Sequence, residues 1–243
     1  MRLYYFLIMN TSKLKIFYEI YTLLFENYGP QGWWPINNEY KKRTTLSDAE
    51  KFEIIVGALL TQNTAWTNVE KALDELRKNN CLSPQKIIET KQETLAQYIK
   101  SSGYNNQKAD RLKGIAQFLL QHPFSELQQM ETPALRSLLL SVKGIGPETA
   151  DSIVLYAFSK PSFVIDAYTK RIMSRIGLCS KEVTYEELQE MMMRNISLDV
   201  SDLSLVSLYN EYHALLVEHA KQHCQTKPIC DGCPLSSVCQ KRI

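Results

Sequence analysis

Charge of one sign is the first thing this chain lacks. Its 28 Lys and Arg stand against 26 Asp and Glu, a net charge of +2 with a pI of about 8.1. A domain held to nucleic acid by charge alone is far more basic, so any such contact must come from local patches. Two exist. One carries Lys170, Arg171 and Arg175 between Ala167 and Gly177; the other sets Lys221, Lys227, Lys241 and Arg242 against Asp231 alone. Solvated helix faces account for either patch taken singly. Long apolar runs are also missing. "LYYFLIM" is too short to span a bilayer, and with one preceding arginine and no small-residue cleavage site it makes a poor signal peptide. Met9, which ends that run just before "NTSKLK", is an alternative start. The expected location is therefore cytoplasmic, with no membrane partner. Strand-like alternation is scarce, "PSFVID" being the one tempting piece, and repeats and low-complexity segments are absent. With 243 residues, 44% hydrophobic and 22% charged, the chain has the length and composition of one large globular domain or two small ones.

What is present reads as helix after helix. "SDAEKFEIIVGALLTQ" opens on a capping box, Ser47 answered by Glu50, and Phe52, Ile55, Val56, Leu59 and Leu60 follow at helical spacing. Thr90 with Glu93 and Thr184 with Glu187 repeat the box, while Ser83-Pro84 and Thr132-Pro133 give a cap followed by proline. The fold class predicted is all-α. In "SVKGIGPETADS" the spacing predicts one helix over Leu135–Ser141 and another over Pro147–Phe158, joined by a tight turn. Gly144 and Gly146 are free to take positive φ, and Ile145 between them would plug into the core. Backbone N–H groups beside a helix start make a natural phosphate seat; a plain helix connection fits the motif equally well. Twenty residues on, in "FVIDAYTKRIMSRIG", Asp166 precedes a basic helical stretch. Its ordinary role is an N-cap. A carboxylate in that place is also fixed and kept ionised.

Four of the six cysteines fall in the last twenty residues. Cys224, Cys230, Cys233 and Cys239 have the spacing C-x5-C-x2-C-x5-C. The close pair aims two sulfurs at one metal centre, and each arm is long enough to return another. Without a secretory signal, disulfides are the wrong reading. Structural zinc is the alternative, but zinc modules more often show two C-x2-C knuckles; one knuckle with two outlying ligands favours a [4Fe–4S] cluster. Cys81 and Cys179 read as buried apolar fillers. His213, His219 and His223 read as surface or interlobe residues, since four thiolates satisfy the metal.

The hairpin "VKGIGPETA", then "VIDAYTKRI", then the cysteine cluster, in that order, resemble the endonuclease III branch of the helix-hairpin-helix DNA glycosylases. "SGYNNQKADRL" and "LLTQNTAW" match further family segments, so the similarity covers about residues 30 to 240. The resemblance implies two helical lobes. A central domain over 41–161 would carry the DNA-probing turn and the hairpin. Residues 1–40 with 162–243 would form the second lobe, with 224–239 its cluster loop. Duplex DNA containing a damaged base would lie in the cleft, bound by a monomer. Lys143, Gly144, Ile145 and Gly146 would form the phosphate-binding hairpin, and Gln62 would fill the gap left by a flipped nucleotide. Members that also cut the DNA backbone carry a lysine where this chain has Glu148. An amine attacks C1′ to form a Schiff base and a carboxylate does not; Lys143, before the turn, should not substitute. The expected enzyme is monofunctional. Asp166 would stabilise the developing sugar cation and orient or deprotonate a water. The first cysteine gap is one residue shorter than usual in the family.

"GPQGWWPI" and the tryptophan of "TQNTAW" resemble a narrower subgroup, the 3-methyladenine DNA glycosylase III type, which also follows "GIG" with an acidic residue. Trp33, Trp34 and Trp66 are the only tryptophans. Core packing is the ordinary role of any one of them; the resemblance puts Trp34 and Trp66 on either side of a flipped base. A cationic alkylpurine gains about 0.5–2 kcal/mol from each favourable aromatic face and leaves as a neutral base without a strong general acid. Lys221 resembles a subgroup lysine near the base pocket. The rivals are an endonuclease III-like glycosylase and lyase for oxidised pyrimidines, and a non-catalytic, metal-stabilised DNA-binding module.

Overall fold

The structure, a computed structural model, describes residues 16–40, 45–196 and 202–242. It is all-α. Helix α1 covers residues 16–28; then come α2 (Asp48–Leu60), α3 (Trp66–Lys78), α4 (Pro84–Glu89), α5 (Gln92–Tyr98), α6 (Asn105–Gln121), α7 (Phe124–Gln129), α8 (Thr132–Leu140), α9 (Pro147–Ser152), α10 (Ala167–Ile176), α11 (Tyr185–Ile196) and α12 (Asp202–Gln222). Among the described residues there is no strand, only a single bridge between Ile36 and Glu39. "PSFVID" stays irregular because side chains meet its backbone. Gln189 Nε2 donates to the Phe163 carbonyl at 2.8 Å, and the Ile165 N–H reaches the Tyr185 hydroxyl at 3.4 Å. None of the described helices is long and apolar enough to cross a membrane.

The chain forms two compact units. One is Trp34–Lys160; the other joins the segment ending at Trp33 to the one beginning at Pro161. In the first, α2 is the central helix: every residue from Phe52 to Leu60 is buried, and α3, α6, α9 and the turn after α9 surround it. A helix apolar on all sides belongs in a core. Its one buried charge, Glu53, accepts from Arg77 Nη2 at 2.7 Å and from the Asn37 N–H at 2.7 Å. Residues 34–40 thus pack in this unit, whereas the family resemblance groups them with the other lobe. Lysines close two helix ends. Lys113 Nζ donates to the carbonyls of Ile87, Ile88 and Thr90. Buried Lys108 donates to those of Leu60 and Ser102 at 2.8 and 2.7 Å, and burial, helped by the Arg111 charge, pushes it down to about 8.

Capping chemistry matches the sequence in part. The Ser47–Glu50 box is complete, Thr184 and Glu187 bond reciprocally, and Ser83 accepts from the Lys86 N–H. Thr90 corrects one of the three expected boxes: its hydroxyl donates back to the Lys86 carbonyl at 2.7 Å, ending α4, and α5 starts at Gln92 with Lys91 as its N-cap and no side-chain cap bond. Thr132 likewise sits inside α8, whose cap is Glu131. After α9 the helix widens into a π turn over Ile153–Ala157, all buried, with the Phe158 N–H bonded five residues back to Ile153.

The second unit is built on aromatic residues of α1 and α12. Phe163 meets Tyr209 and Tyr212 edge-on, with centroids 5.3 and 5.8 Å apart, and the Tyr212 hydroxyl donates to the Phe17 carbonyl at 2.9 Å.

Candidate active site

The hairpin lies between α8 and α9. Gly144 has φ +91°, a left-handed conformation that favours glycine. Gly146 is extended at φ −95°, so only one of the two glycines uses its freedom. Ile145 is buried, as expected of a plug, while Lys143 and Glu148 are exposed. The two helices are joined by a bidentate pair, Arg136 to the fully buried Asp151 at 2.8 and 3.0 Å. Gln62, in the turn after α2, does not cap its own helix; Thr61 does, donating to the Gly57 carbonyl at 2.7 Å. Instead Gln62 Nε2 donates to the Gly144 carbonyl and to Thr149 Oγ1, while Arg111 Nη1 donates to its Oε1.

Trp34 and Trp66 meet edge to face with ring centroids 5.2 Å apart, and Tyr156 adds a third ring 5.0 Å from Trp34. Stacking a base between two rings needs parallel faces about 7 Å apart, two contact distances of about 3.5 Å each. The three rings therefore form one aromatic corner, not the two sides of a sandwich. Trp34 is buried because α2 offers Gly57 beneath it: a Cβ there would lie 3.0 Å from Trp34 Cζ2. Trp33, partly exposed, ends the other unit.

Asp166 is the N-cap of α10, its Oδ1 accepting from the Thr169 N–H at 2.7 Å. His213 Nε2, from α12, lies 3.7 Å from Oδ2. Burial pushes the carboxyl up, but the imidazole and the Thr169 donors outweigh it and hold Asp166 below the usual carboxylate range. His213, expected at the surface or between the lobes, is thus buried beside Asp166. The spacing that hid it is 47 residues, which only tertiary packing closes.

Cys224, Cys230, Cys233 and Cys239 line one cavity, walled by Ile172, Ile176, Ile229 and Leu235. Burial pushes the Cys233 thiol up; the Leu235 N–H opposes this, and the other three cysteines reinforce it. Four thiolates crowded in an apolar cavity demand a cation, so the residues fit a metal centre. The loop is anchored to α10. Arg171 Nε donates to the Cys224 carbonyl at 2.8 Å, and Arg175 to those of Gln225 and Thr226 at 2.6 and 2.9 Å. Two cations of the first basic patch are therefore spent inside the protein. His219 is buried as well, its ring between the Tyr28 hydroxyl at 3.0 Å and Cys233 Sγ at 3.8 Å; burial and then the His223 charge push it down to about 4. Lys221 is half exposed, 3.9 Å from Glu218. Cys81 is buried as expected, whereas Cys179 is partly exposed.

The sequence profile of the HhH-GPD superfamily base excision DNA repair proteins matches residues 56–197, the span that holds Gln62, the hairpin and Asp166. The chain belongs to this superfamily. The HhH-GPD chain is 39% identical over 236 residues to the "Putative DNA repair glycosylase MJ1434" of Methanocaldococcus jannaschii, covering 95% of this chain and 99% of that one. It is similar to the crystal structure of the H. pylori 3-methyladenine DNA glycosylase bound to 1,N6-ethenoadenine, with a TM-score of 0.69, 31% identity and coverage of 86% and 97%. It also superposes on a trapped endonuclease III–DNA covalent intermediate with a TM-score of 0.73, covering 94% and 96% at 21% identity, a likeness of fold. Membership makes the protein a DNA glycosylase of base excision repair. The four-cysteine loop lies outside the span that defines this HhH-GPD domain. His213 and Arg111 are the site residues that sequence reasoning missed, since neither stands in a motif whose spacing points to a partner.

Proposed function

We propose that this glycosylase releases alkylated purines of the 3-methyladenine type from duplex DNA and leaves the abasic strand uncut. The observation that carries the reading is Asp166, a carboxylate kept ionised at the start of α10 by His213 and the Thr169 N–H. An ionised carboxylate beside C1′ stabilises the sugar cation as the bond to the base lengthens. The base takes the glycosidic electron pair and departs neutral. Water then adds its oxygen to C1′ and gives its proton to Asp166. Glu148, on the exposed first turn of α9, offers no amine for a Schiff base. The corner of Trp34, Trp66 and Tyr156 suits a flat cationic ring stacked on one face. The likeness to a solved 3-methyladenine DNA glycosylase adds weight. In this reading Gln62 enters the duplex, Lys143 with Gly144–Gly146 takes a phosphate, and Trp33 and Lys221 border the base site of a monomeric enzyme.

In the same reading Cys224, Cys230, Cys233 and Cys239 hold a [4Fe–4S] cluster. Among the described residues no three His, Cys, Asp or Glu side chains close on a single-ion site. One C-x2-C pair with two outlying cysteines suits a cluster better than tetrahedral zinc, whose modules more often show two such pairs. When bound, the cluster would supply a fixed cross-link for the loop, and broad visible absorbance near roughly 400 nm would distinguish it from zinc. The experiment for activity is base release from methylated duplex DNA, with freed bases identified by chromatography and borohydride added to a parallel sample. Release of 3-methyladenine with no trapped adduct supports the reading. A trapped adduct would move the protein to the lyases, and absence of any methylpurine would remove the substrate.

A further inference from the structure

Gln62 is the residue read above as the DNA wedge, and its amide is fully engaged inside the protein. Nε2 donates to the Gly144 carbonyl at 3.2 Å and to Thr149 Oγ1 at 2.9 Å, and Oε1 accepts from Arg111 Nη1. Its partners come from the hairpin, α9 and α6. Arg111 reaches this place across Gly144: its Cγ and Cδ would stand 2.6 and 2.8 Å from a Cβ there, so only glycine admits the arginine stem. One turn earlier on α6, Lys108 holds the Leu60 carbonyl at the end of α2. Helix α6 therefore grips both the helix that ends at the probing turn and the side chain the turn carries. An amide inserted between base pairs cannot keep these three partners.

We infer that Arg111 and Thr149 are positioning residues that dock Gln62 against the hairpin, and that the wedge must be released from them before it enters DNA. Docking then sets a threshold that insertion must exceed. Intact duplex resists insertion and leaves Gln62 docked, whereas a damaged or abasic site offers a gap that repays the lost bonds. This inference rests on the reading of Gln62 as the wedge, and it does not depend on which base is removed.

The test is the ratio of affinities for a duplex carrying an abasic-site analogue and for the same duplex intact. Thr149→Val keeps shape and removes one neutral hydrogen bond, so the ratio should rise about three- to tenfold. Arg111→Met should lower both affinities through its lost charge and still raise the ratio. Thr149→Val added to Gln62→Ala should change nothing further. A ratio that falls in the single variants would mean that Gln62 works while still gripped, and overturns the docked state. A ratio that does not move, or a Thr149→Val effect that persists without Gln62, makes the contacts merely structural and overturns it too. If Gln62→Ala alone leaves the ratio at the wild-type value, the wedge reading falls and takes this inference with it. A failure to release methylpurines would remove the proposed substrate and leave the ratio test intact.

Discussion

At the scale of single residues, a carboxylate beside an imidazole at a helix start has two effects that one substitution separates. Asp166→Asn keeps a good N-cap, since Asn and Asp rank together there, and removes the charge. Base release should fall about 10²- to 10⁴-fold while affinity for abasic duplex persists; an unchanged rate would move the chemistry elsewhere. The same variant tests the linkage to stability. Asp166 is held below its usual value in the folded protein, so its contribution is present above the unfolded carboxylate pKa of about 3.9. That contribution disappears as pH falls through the depressed folded value. Urea melts between neutral and acid pH should show a smaller acid loss in Asp166→Asn than in the parent. Glu148→Lys is the complementary change, restoring an amine on an exposed first turn. We expect it to give a borohydride-trapped adduct with abasic DNA that the parent does not give. Asp166 and Glu148 were legible because each sits in a short motif. His213 was not, because its relation to Asp166 exists only after α12 packs on α10.

Elements were legible where a local rule decides them and less so where a rule has two solutions. The Ser47–Glu50 box is satisfied in the folded chain, the Ser47 N–H donating to Glu50 Oε2 at 2.8 Å and the Glu50 N–H to Ser47 Oγ at 3.3 Å. Thr90 had a choice. Its hydroxyl serves as donor to the turn before it, beside Cys81, and the short loop to α5 leaves it behind the next helix start. The π turn after α9 carries no sequence mark, since an apolar run reads alike at either helical pitch. The aromatic corner belongs to this scale too, because α2 makes room for it with a glycine in its middle. Gly57→Ala should favour the helix intrinsically by up to about 1 kcal/mol. The new methyl would meet Trp34 at 3.0 Å and force the ring to shift. We therefore expect a melting temperature changed by only a few degrees, the two effects opposing, together with weaker binding of a free alkylpurine and altered tryptophan emission. Unaltered base binding with a rise in melting temperature would show that Trp34 has slack and that the corner is not the seat of the base.

On the scale of the whole molecule, an almost neutral chain has to place its few available cations with care, and α10 shows where some of them go. Arg171 and Arg175 hold the carbonyls of residues 224–226, so they bind the cysteine loop to the helix that Asp166 begins. The four cysteines share one cavity, and burial favours the protonated Cys233 thiol, so a cation is needed before they can close the loop as thiolates. In the reading that places a cluster in this loop, its loss should be felt first in the loop and α10, and the Trp34–Lys160 unit, with its own buried core, should keep its structure. The tryptophans make the difference measurable, because Trp34 and Trp66 both lie in that unit, and with Trp33, which ends the other, replaced by phenylalanine they alone report. On removal of the metal by oxidant and chelator, we expect proteolytic cleavage within 224–239 and a lower first unfolding transition. Tryptophan emission should stay native through that step, and base release should fall as Asp166 loses a fixed helix. If emission instead shifts to the red in step with the loss of metal, the two units share one stability. The loop would then be part of a common core, not an anchor for α10 alone.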